Sequence, residues 1–575
     1  MSLPPPPPVT VHCQDDGVWR IDAATPLAPY PLRLTDCLVA GAQRHPDRTL
    51  VAARGADGAW ERLSYAQVLT RARRIGQGLL ALGLSAERPL AIVAPNSLAH
   101  FQLAMGALYA GVPYAPLAGT TVRLQQMLAL LTPGAVYAED STLCSTLDLG
   151  SLLATEPATI DAAHARIDGD SIAKFLFTSG STGAMTGPKA VITTQRMLCS
   201  NQQMLRQTYP CLGATAPVLV DWLPWSHTFG GSHNVGIALY NGGTLYLDGG
   251  KPLPGLFETT LRNLREIAPT VHFNVPRGWD LLTAALEQDA SLRRQFFSRT
   301  ELLFCAGAAL APALAARLNR LAAPMTVVSG LGMTETAPGC LFSHGDSLHA
   351  GQAGEAAHVG LPAPGVRVKL VPRQGKYEAC FAGPHVTPGY WRAPEHTGAA
   401  FDGEGYYHSG DALRLADSQD PRQGLVFDGR LADDFKLDSG TWVGSAALRA
   451  RVLEYGAPYV QEAVIAGSGR ADVAVLVFVQ MDACRALVPG ADDAPVRASA
   501  QLAEHFGAVL AQVNHGKRGA TARVARLLVL DGAPDGARGE LTAKGSINQA
   551  AVLANRAALV EAMYDGRAPG LVLGG

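Results

Sequence analysis

Lys174 to Thr194 reads KFLFTSGSTGAMTGPKAVITT, a loop of hydroxyls, glycines and one lysine between two apolar, β-branched runs. The strand-like KFLFT delivers the chain into TSGSTGAMTG. Its Ser and Thr hydroxyls and glycine N–H groups can converge on phosphate oxygens, with Lys189 adding positive charge. The pattern differs from G-x-x-x-x-G-K-[ST]: Lys189 stands between Pro188 and Ala190, so no hydroxyl follows it, and AVITT continues as a strand instead of opening a helix. Taken alone, the loop reads equally well as a phosphate cradle or as a Ser/Gly linker.

Outward from this loop, strand-like and helical patterns alternate. PLAIVAPN is followed by LAHFQLAMGALYAG, then VPYAPL, RLQQMLALL and AVYAED, and the rhythm returns in TVHFNVP, LRRQFFSRTELLFCAGAAL and MTVVSGLGM. That alternation predicts an α/β fold with parallel sheets covered by helices on both faces. From about Leu361 the texture turns to strand and turn (GVRVKLVP, YEACFAGPHVTPGYW, GLVFDGR), which predicts a β-rich subdomain, and mixed α/β resumes after DGRLADD. The expected division is a proline-rich tail and lead-in over 1–30, a large domain over 31–429, a hinge at 430–434 and a small domain over 435–575.

Composition limits the function classes. A chain of 575 residues, 48% hydrophobic and 17% charged, has material for several cores, and a net charge of −2 gives no electrostatic reason to expect nucleic acid or an anionic membrane as partner. Nine cysteines without a CxxC pair predict reduced thiols and a cytoplasmic location. The opening MSLPPPPPVTVHCQDDGVW lacks the charged and apolar regions of a secretion signal and reads as a stiff, disordered tail. The most apolar segment, LAHFQLAMGALYAGVPYAPLAG, is broken by His100, Gln102, Pro113 and Pro116, against a membrane span. Oligomeric state stays open.

Further stretches carry candidate chemistry. SGLGMTETAPG places Thr334 and Glu335 on a glycine-rich turn, where a hydroxyl and a hard carboxylate can meet a phosphate and its Mg²⁺. YYHSGDALRL places Asp411 after a Ser-Gly turn, suited to ribose hydroxyls. FDGRLADDFKLDSGTWV offers Arg430 and Lys436, and GELTAKGSINQ offers Lys544. In DWLPWSHTFGG, Trp222, Trp225, His227 and Phe229 fit core packing as well as they fit a substrate pocket. His233 and His272 have no His, Asp or Cys cluster beside them and read as structural histidines, and Cys305 as a small buried hydrophobe.

In this order the motifs resemble the adenylate-forming superfamily of acyl-CoA synthetases, nonribosomal adenylation domains and luciferases, over nearly the whole chain. VDWLPWSHTFGGSHNVGIALYNGGTLYLDGGKP and LTAKGSINQAAVLANRAALVEAMY look most like bacterial feruloyl-CoA synthases. The resemblance implies a large N-terminal domain of Rossmann-like α/β subdomains with a β-rich subdomain, and a small mobile α/β C-terminal domain. It implies ATP, Mg²⁺ and CoA as ligands, with an acid first joined to AMP and then passed to a thiol. Residue by residue, it implies Thr178, Ser179, Gly180, Ser181, Thr182, Gly183 and Lys189 on the β- and γ-phosphates, and Thr334 on the α-phosphate. Glu335 would bind Mg²⁺, Asp411 with Arg430 the ribose, and Gly307, Gly332 and Met333 would belong to the nucleotide pocket. Trp225, His227 and Phe229 would line the acyl site. Lys544 would bridge the carboxylate and the α-phosphate, and Lys436 would face the site after the small domain rotates.

Among the places where the sequence departs from that family's pattern, two bear on the phosphate loop and the hinge. Four residues, AMTG, separate Gly183 from Pro188 where relatives usually have one, an insertion able to displace Lys189; and Ala432 stands at the usual hinge Asp or Lys. The expected function is an ATP-dependent ligase joining ferulate or a related hydroxycinnamate to CoA. Alternatives are another aromatic or carboxylic acid, a carrier-protein thiol as acceptor, or a non-catalytic nucleotide-binding paralogue.

Overall fold

The structure, a computed structural model, describes residues 7–140, 146–178, 187–253, 255–344, 358–488, 496–497, 499–541 and 547–574. It is a large N-terminal α/β domain, part Rossmann-like and part β-rich, followed by a smaller α/β domain.

The opening stretch belongs to a five-stranded sheet. Its order is Ala135–Ala138, Leu90–Val93, Tyr114–Pro116, Ile172–Thr178 and Lys189–Thr194; the first four run parallel and the last antiparallel. Helix Leu98–Ala110 covers one face, and every residue from His100 to Ala110 is buried. Ser97 caps its start by accepting from the His100 N–H, and Gly111 ends it at a φ of +71°. A four-stranded sheet (Val218–Asp221, Thr244–Leu247, Thr49–Arg54, Trp60–Ser64) lies next in the domain.

The third sheet has eleven strands among the described residues. Val271–Asn274, Leu302–Cys305 and Val327–Gly332 are parallel; Gly339–Phe342 then pairs antiparallel to Val327–Gly332 and to His358–Pro362, and the antiparallel strands through Arg367–Arg373 follow. The β-rich region expected from Leu361 is therefore continuous with the parallel strands. Val9–Cys13 and Trp19–Ala23, expected to be tail and lead-in, form a hairpin on the sheet's edge, where Trp19 to Asp22 pair with Leu370 to Arg367. Ile21 is fully buried there, which anchors a pair of five-residue strands too short to stand alone.

The small domain has its own sheet: Val460–Ala466, Val473–Val479, Val524–Val529 and Leu571–Leu573. VAVLVFV is buried at all seven positions because two cores flank it: Val473, Val475 and Val477 face one, Ala474, Leu476 and Phe478 the other. No helix among the described residues is long and apolar enough to cross a membrane.

Candidate active site

Parallel strands present ligands at their carboxyl ends. Leu302–Cys305 leads into Gly307, which is exposed at a φ of +89°, and Val327–Gly332 leads into Met333, Thr334 and Glu335. The second turn closes tightly: the Met333 N–H donates to Pro338 O at 3.0 Å, and a Cβ at Gly332 would lie 1.9 Å from that oxygen. Only glycine fits there, and the turn holds Thr334 and Glu335 in buried positions.

Thr178 and Lys189, which flank the phosphate-loop candidate, are register partners at the ends of two antiparallel strands. Ser179, Gly180, Ser181, Thr182 and Gly183 lie outside the described residues, as does Lys544. Lys189 opens the second strand, its Nζ 5.5 Å from the centroid of the Tyr390 ring. Gly389 to Trp391 run beside this strand: Ile192 N–H donates to Gly389 O at 3.1 Å and Trp391 N–H to Ala190 O at 2.8 Å. The Tyr390 hydroxyl donates to Glu335 Oε1 at 3.0 Å and lies 3.3 Å from the Tyr407 hydroxyl. Thr387 completes the joint, its N–H donating to Glu335 O at 2.8 Å and its hydroxyl to Ile192 O at 2.7 Å. Burial, with the Glu335 charge, pushes both phenols up, so they remain donors at neutral pH.

Asp411 and Arg430 are cross-strand partners, with Arg430 Nε 3.3 Å from Asp411 Oδ1; the carboxylate is buried and the guanidinium half-exposed. Burial foremost, with the Asp411 charge adding, pushes the Cys340 thiol up. Lys436 is exposed on the small domain; among the described residues its Nζ contacts Trp442, 5.1 Å from the ring centroid, and not the Glu335 group.

The three acyl-site candidates separate. Trp225 is buried against His100 and Phe101. His227 turns back to accept the Phe229 N–H on Nδ1 at 3.2 Å. Phe229 opens a π-helical turn, Phe229–Asn234, and packs in an aromatic cluster with His233, Phe273 and Phe304 at centroid distances of 4.9–6.5 Å. The cluster packs against the strand that leads into the Thr334 turn: a Cβ at Gly330 would be 3.0 Å from Phe304 Cζ. Lys174, buried in the opening stretch, donates from Nζ to Gly231 O of the π-turn at 2.6 Å, and burial pushes its amine down to about 7.

His233 was read above as structural, and the structure places it inside this cluster. Its Nε2 is buried with no hydrogen-bond partner among the described residues, which ordinarily costs about 1–3 kcal/mol. Phe273 and Phe304 lie 40 and 71 positions away in sequence, so the one local signal is the run of polar residues in GGSHN, unusual for a buried segment.

Residues 38–391 match the family model described as AMP-binding enzyme, and residues 433–568 match the AMP-binding enzyme C-terminal domain. The chain is 25% identical over 480 residues to a long-chain-fatty-acid–CoA ligase of Macaca fascicularis, a match spanning 69% of this chain and 64% of that one. It is 28% identical over 382 residues to feruloyl-CoA synthase of an Amycolatopsis species, covering 61% and 74%. It is 31% identical over 319 residues to anthranilate–CoA ligase of Pseudomonas aeruginosa, covering 54% and 56%. The fold is similar to that of o-succinylbenzoate coenzyme A synthetase from Bacillus subtilis in complex with AMP, with a TM-score of 0.69 at 18% identity, covering 91% of this chain and 98% of that one.

Proposed function

Because this chain belongs to the AMP-binding enzyme family, we propose that it uses ATP to activate a carboxylic acid as an acyl-adenylate and passes the acyl group to the thiol of CoA. The observation that carries this reading is the joint between Lys189, Tyr390 and Glu335, which ties the strand after the phosphate-loop candidate to the Thr334 turn. In the first step a carboxylate oxygen attacks the α-phosphorus and pyrophosphate leaves; in the second the thiol sulfur attacks the acyl carbon and AMP leaves. Both steps move negative charge, so the protein's part is positioning and electrostatic stabilisation. Lys189 and the loop from Thr178 meet the departing phosphates, Thr334 meets the α-phosphate, and Asp411 with Arg430 holds the ribose. Gly307, Gly332 and Met333 border the nucleotide.

The donor set suits Mg²⁺, which binds through one or two carboxylates plus phosphate oxygens: Glu335 is a buried carboxylate oriented by a phenol. Bound there, the ion would neutralise charge on the phosphates. Lys544 and Lys436 serve the two steps in turn, as a rotation about 430–434 exchanges the faces of the small domain.

The acid is best read as aromatic, from the cluster of Phe229, Phe273 and Phe304 against the strand that leads into the Thr334 turn. The relatives act by name on fatty, hydroxycinnamic and anthranilic acids, so ferulate is one member of a broader set; their shared use of CoA favours it over a carrier-protein thiol. The direct assay supplies ATP, Mg²⁺ and a panel of aromatic and aliphatic acids, with either CoA or a phosphopantetheinyl carrier. AMP and an aryl-CoA thioester are expected. Thioester on the carrier alone would replace CoA as acceptor, and AMP formed with aliphatic acids alone would refute the aromatic reading.

A further inference from the structure

The imidazole of His233 is held in one tautomer by a buried relay. Asp221 Oδ1 accepts from Asn234 Nδ2 at 2.9 Å, which fixes the orientation of the Asn234 amide. The amide oxygen, Oδ1, consequently faces His233 Nδ1 at 2.8 Å, and because that oxygen only accepts, Nδ1 carries the proton. Nε2 is left as a bare lone pair. It is buried and without a partner among the described residues, and its ring touches Phe229, Phe273 and Phe304. Burial pushes the imidazole down to about 4, so it stays neutral and Nε2 stays an acceptor at pH 7.

We propose that His233 Nε2 selects the acid: it accepts a hydrogen bond from an O–H or N–H group on the substrate's aromatic ring, restricting the enzyme to hydroxy- or amino-substituted aryl acids. This rests on the acyl-activating reading above and on the aromatic cluster being its acyl site. The π-turn that carries both Phe229 and His233 fits this role, since π-turns are rare and occur often at functional sites. The logic of selection is asymmetric. A ring without a donor would bury Nε2 unpaired in the complex, whereas a donor-bearing ring satisfies it.

The test measures kcat/KM of acid-dependent adenylate formation for matched pairs: 4-hydroxycinnamate against cinnamate and 4-methoxycinnamate, and 2-aminobenzoate against benzoate. The wild type is expected to favour a donor-bearing member by about 100-fold or more; the pair that shows it distinguishes hydroxyl from amine. His233→Phe, which removes the acceptor, is expected to reduce the preference to within about tenfold. His233→Gln, which restores a carbonyl acceptor, is expected to recover part of it. Equal rates within every pair in the wild type would overturn the proposal without any variant, as would an undiminished preference in folded His233→Phe. Absence of adenylate with every acid would instead refute the activity it rests on.

Discussion

Glu335 is oriented by a phenol from another motif, and that dependence can be measured. Tyr390 donates to it at 3.0 Å while its ring carries the Lys189 ammonium. A hydrogen bond to a charged group contributes about 1.5–3 kcal/mol, so Tyr390→Phe is expected to slow adenylation by roughly 10- to 100-fold and to raise the Mg²⁺ concentration giving half-maximal rate. An unchanged Mg²⁺ dependence would separate Tyr390 from the metal site. Lys189→Met should raise the KM for ATP with little change in Tm, because a cation–π contact at a partly exposed site contributes only about 0.5–1 kcal/mol. The turn carrying Thr334 and Glu335 was legible from its glycines, and the strand that Lys189 opens from its β-branched run; their part in chemistry came only from the order of the motifs together. The role of Tyr390 was not legible, since it arises from a contact across 55 positions. The same holds for His233, whose tautomer depends on Asp221 and Asn234 together.

The π-turn carries the group proposed to recognise substrate, and at its two glycines the backbone leaves no space for a side chain. A Cβ at Gly231 would lie 2.2 Å from Trp225 O, and one at Gly230 2.3 Å from Leu223 O. Gly231→Ala is therefore expected to destabilise by more than about 3 kcal/mol, seen as a large fall in Tm. Gly249→Ala, at an exposed site with nothing within 4 Å of the added Cβ, should stay within about 0.5 kcal/mol of wild type. Lys174 braces the same turn through Gly231 O. The alternation of strands and helices was readable from hydrophobic periodicity, and the strand at Lys189 followed from its β-branched run, whereas its antiparallel pairing with Ile172–Thr178 did not. The edge hairpin from Val9 to Ala23 escaped because the proline run dominates that stretch, while its anchoring comes from pairing with Arg367 to Leu370, far along the chain. Continuity of the parallel and antiparallel strands likewise depends on Gly339–Phe342, four residues that pair on both sides.

Across the whole molecule, buried histidines set the response to acid. Burial holds His100 and His233 down to about 4 and His272 and His385 to about 3, against an ordinary 6.5. The native protein stays neutral at these sites while the unfolded chain takes up protons below pH 6.5. Stability is therefore fully present above that pH and is lost as it falls toward 4. The urea midpoint should drop steadily between pH 6.5 and 4.5; a flat midpoint would mean that these imidazoles are not buried. The two domains are also clamped where the hinge is proposed. Lys376 Nζ lies 2.6 Å from Asp434 Oδ2 and donates to Asp428 O at 2.7 Å, while Asp434 Oδ1 accepts from the Ser445 N–H at 3.0 Å. If rotation about 430–434 separates these groups, Lys376→Ala is expected to change the ratio of the thioester-forming to the adenylating rate; an unchanged ratio would place the clamp outside the moving joint.

The most direct measurement is exchange of labelled pyrophosphate into ATP in the presence of aromatic acids, with no thiol supplied. The account predicts exchange that requires both the acid and Mg²⁺ and falls with Tyr390→Phe. Folded, ATP-binding protein that catalyses no exchange with any carboxylic acid would contradict it.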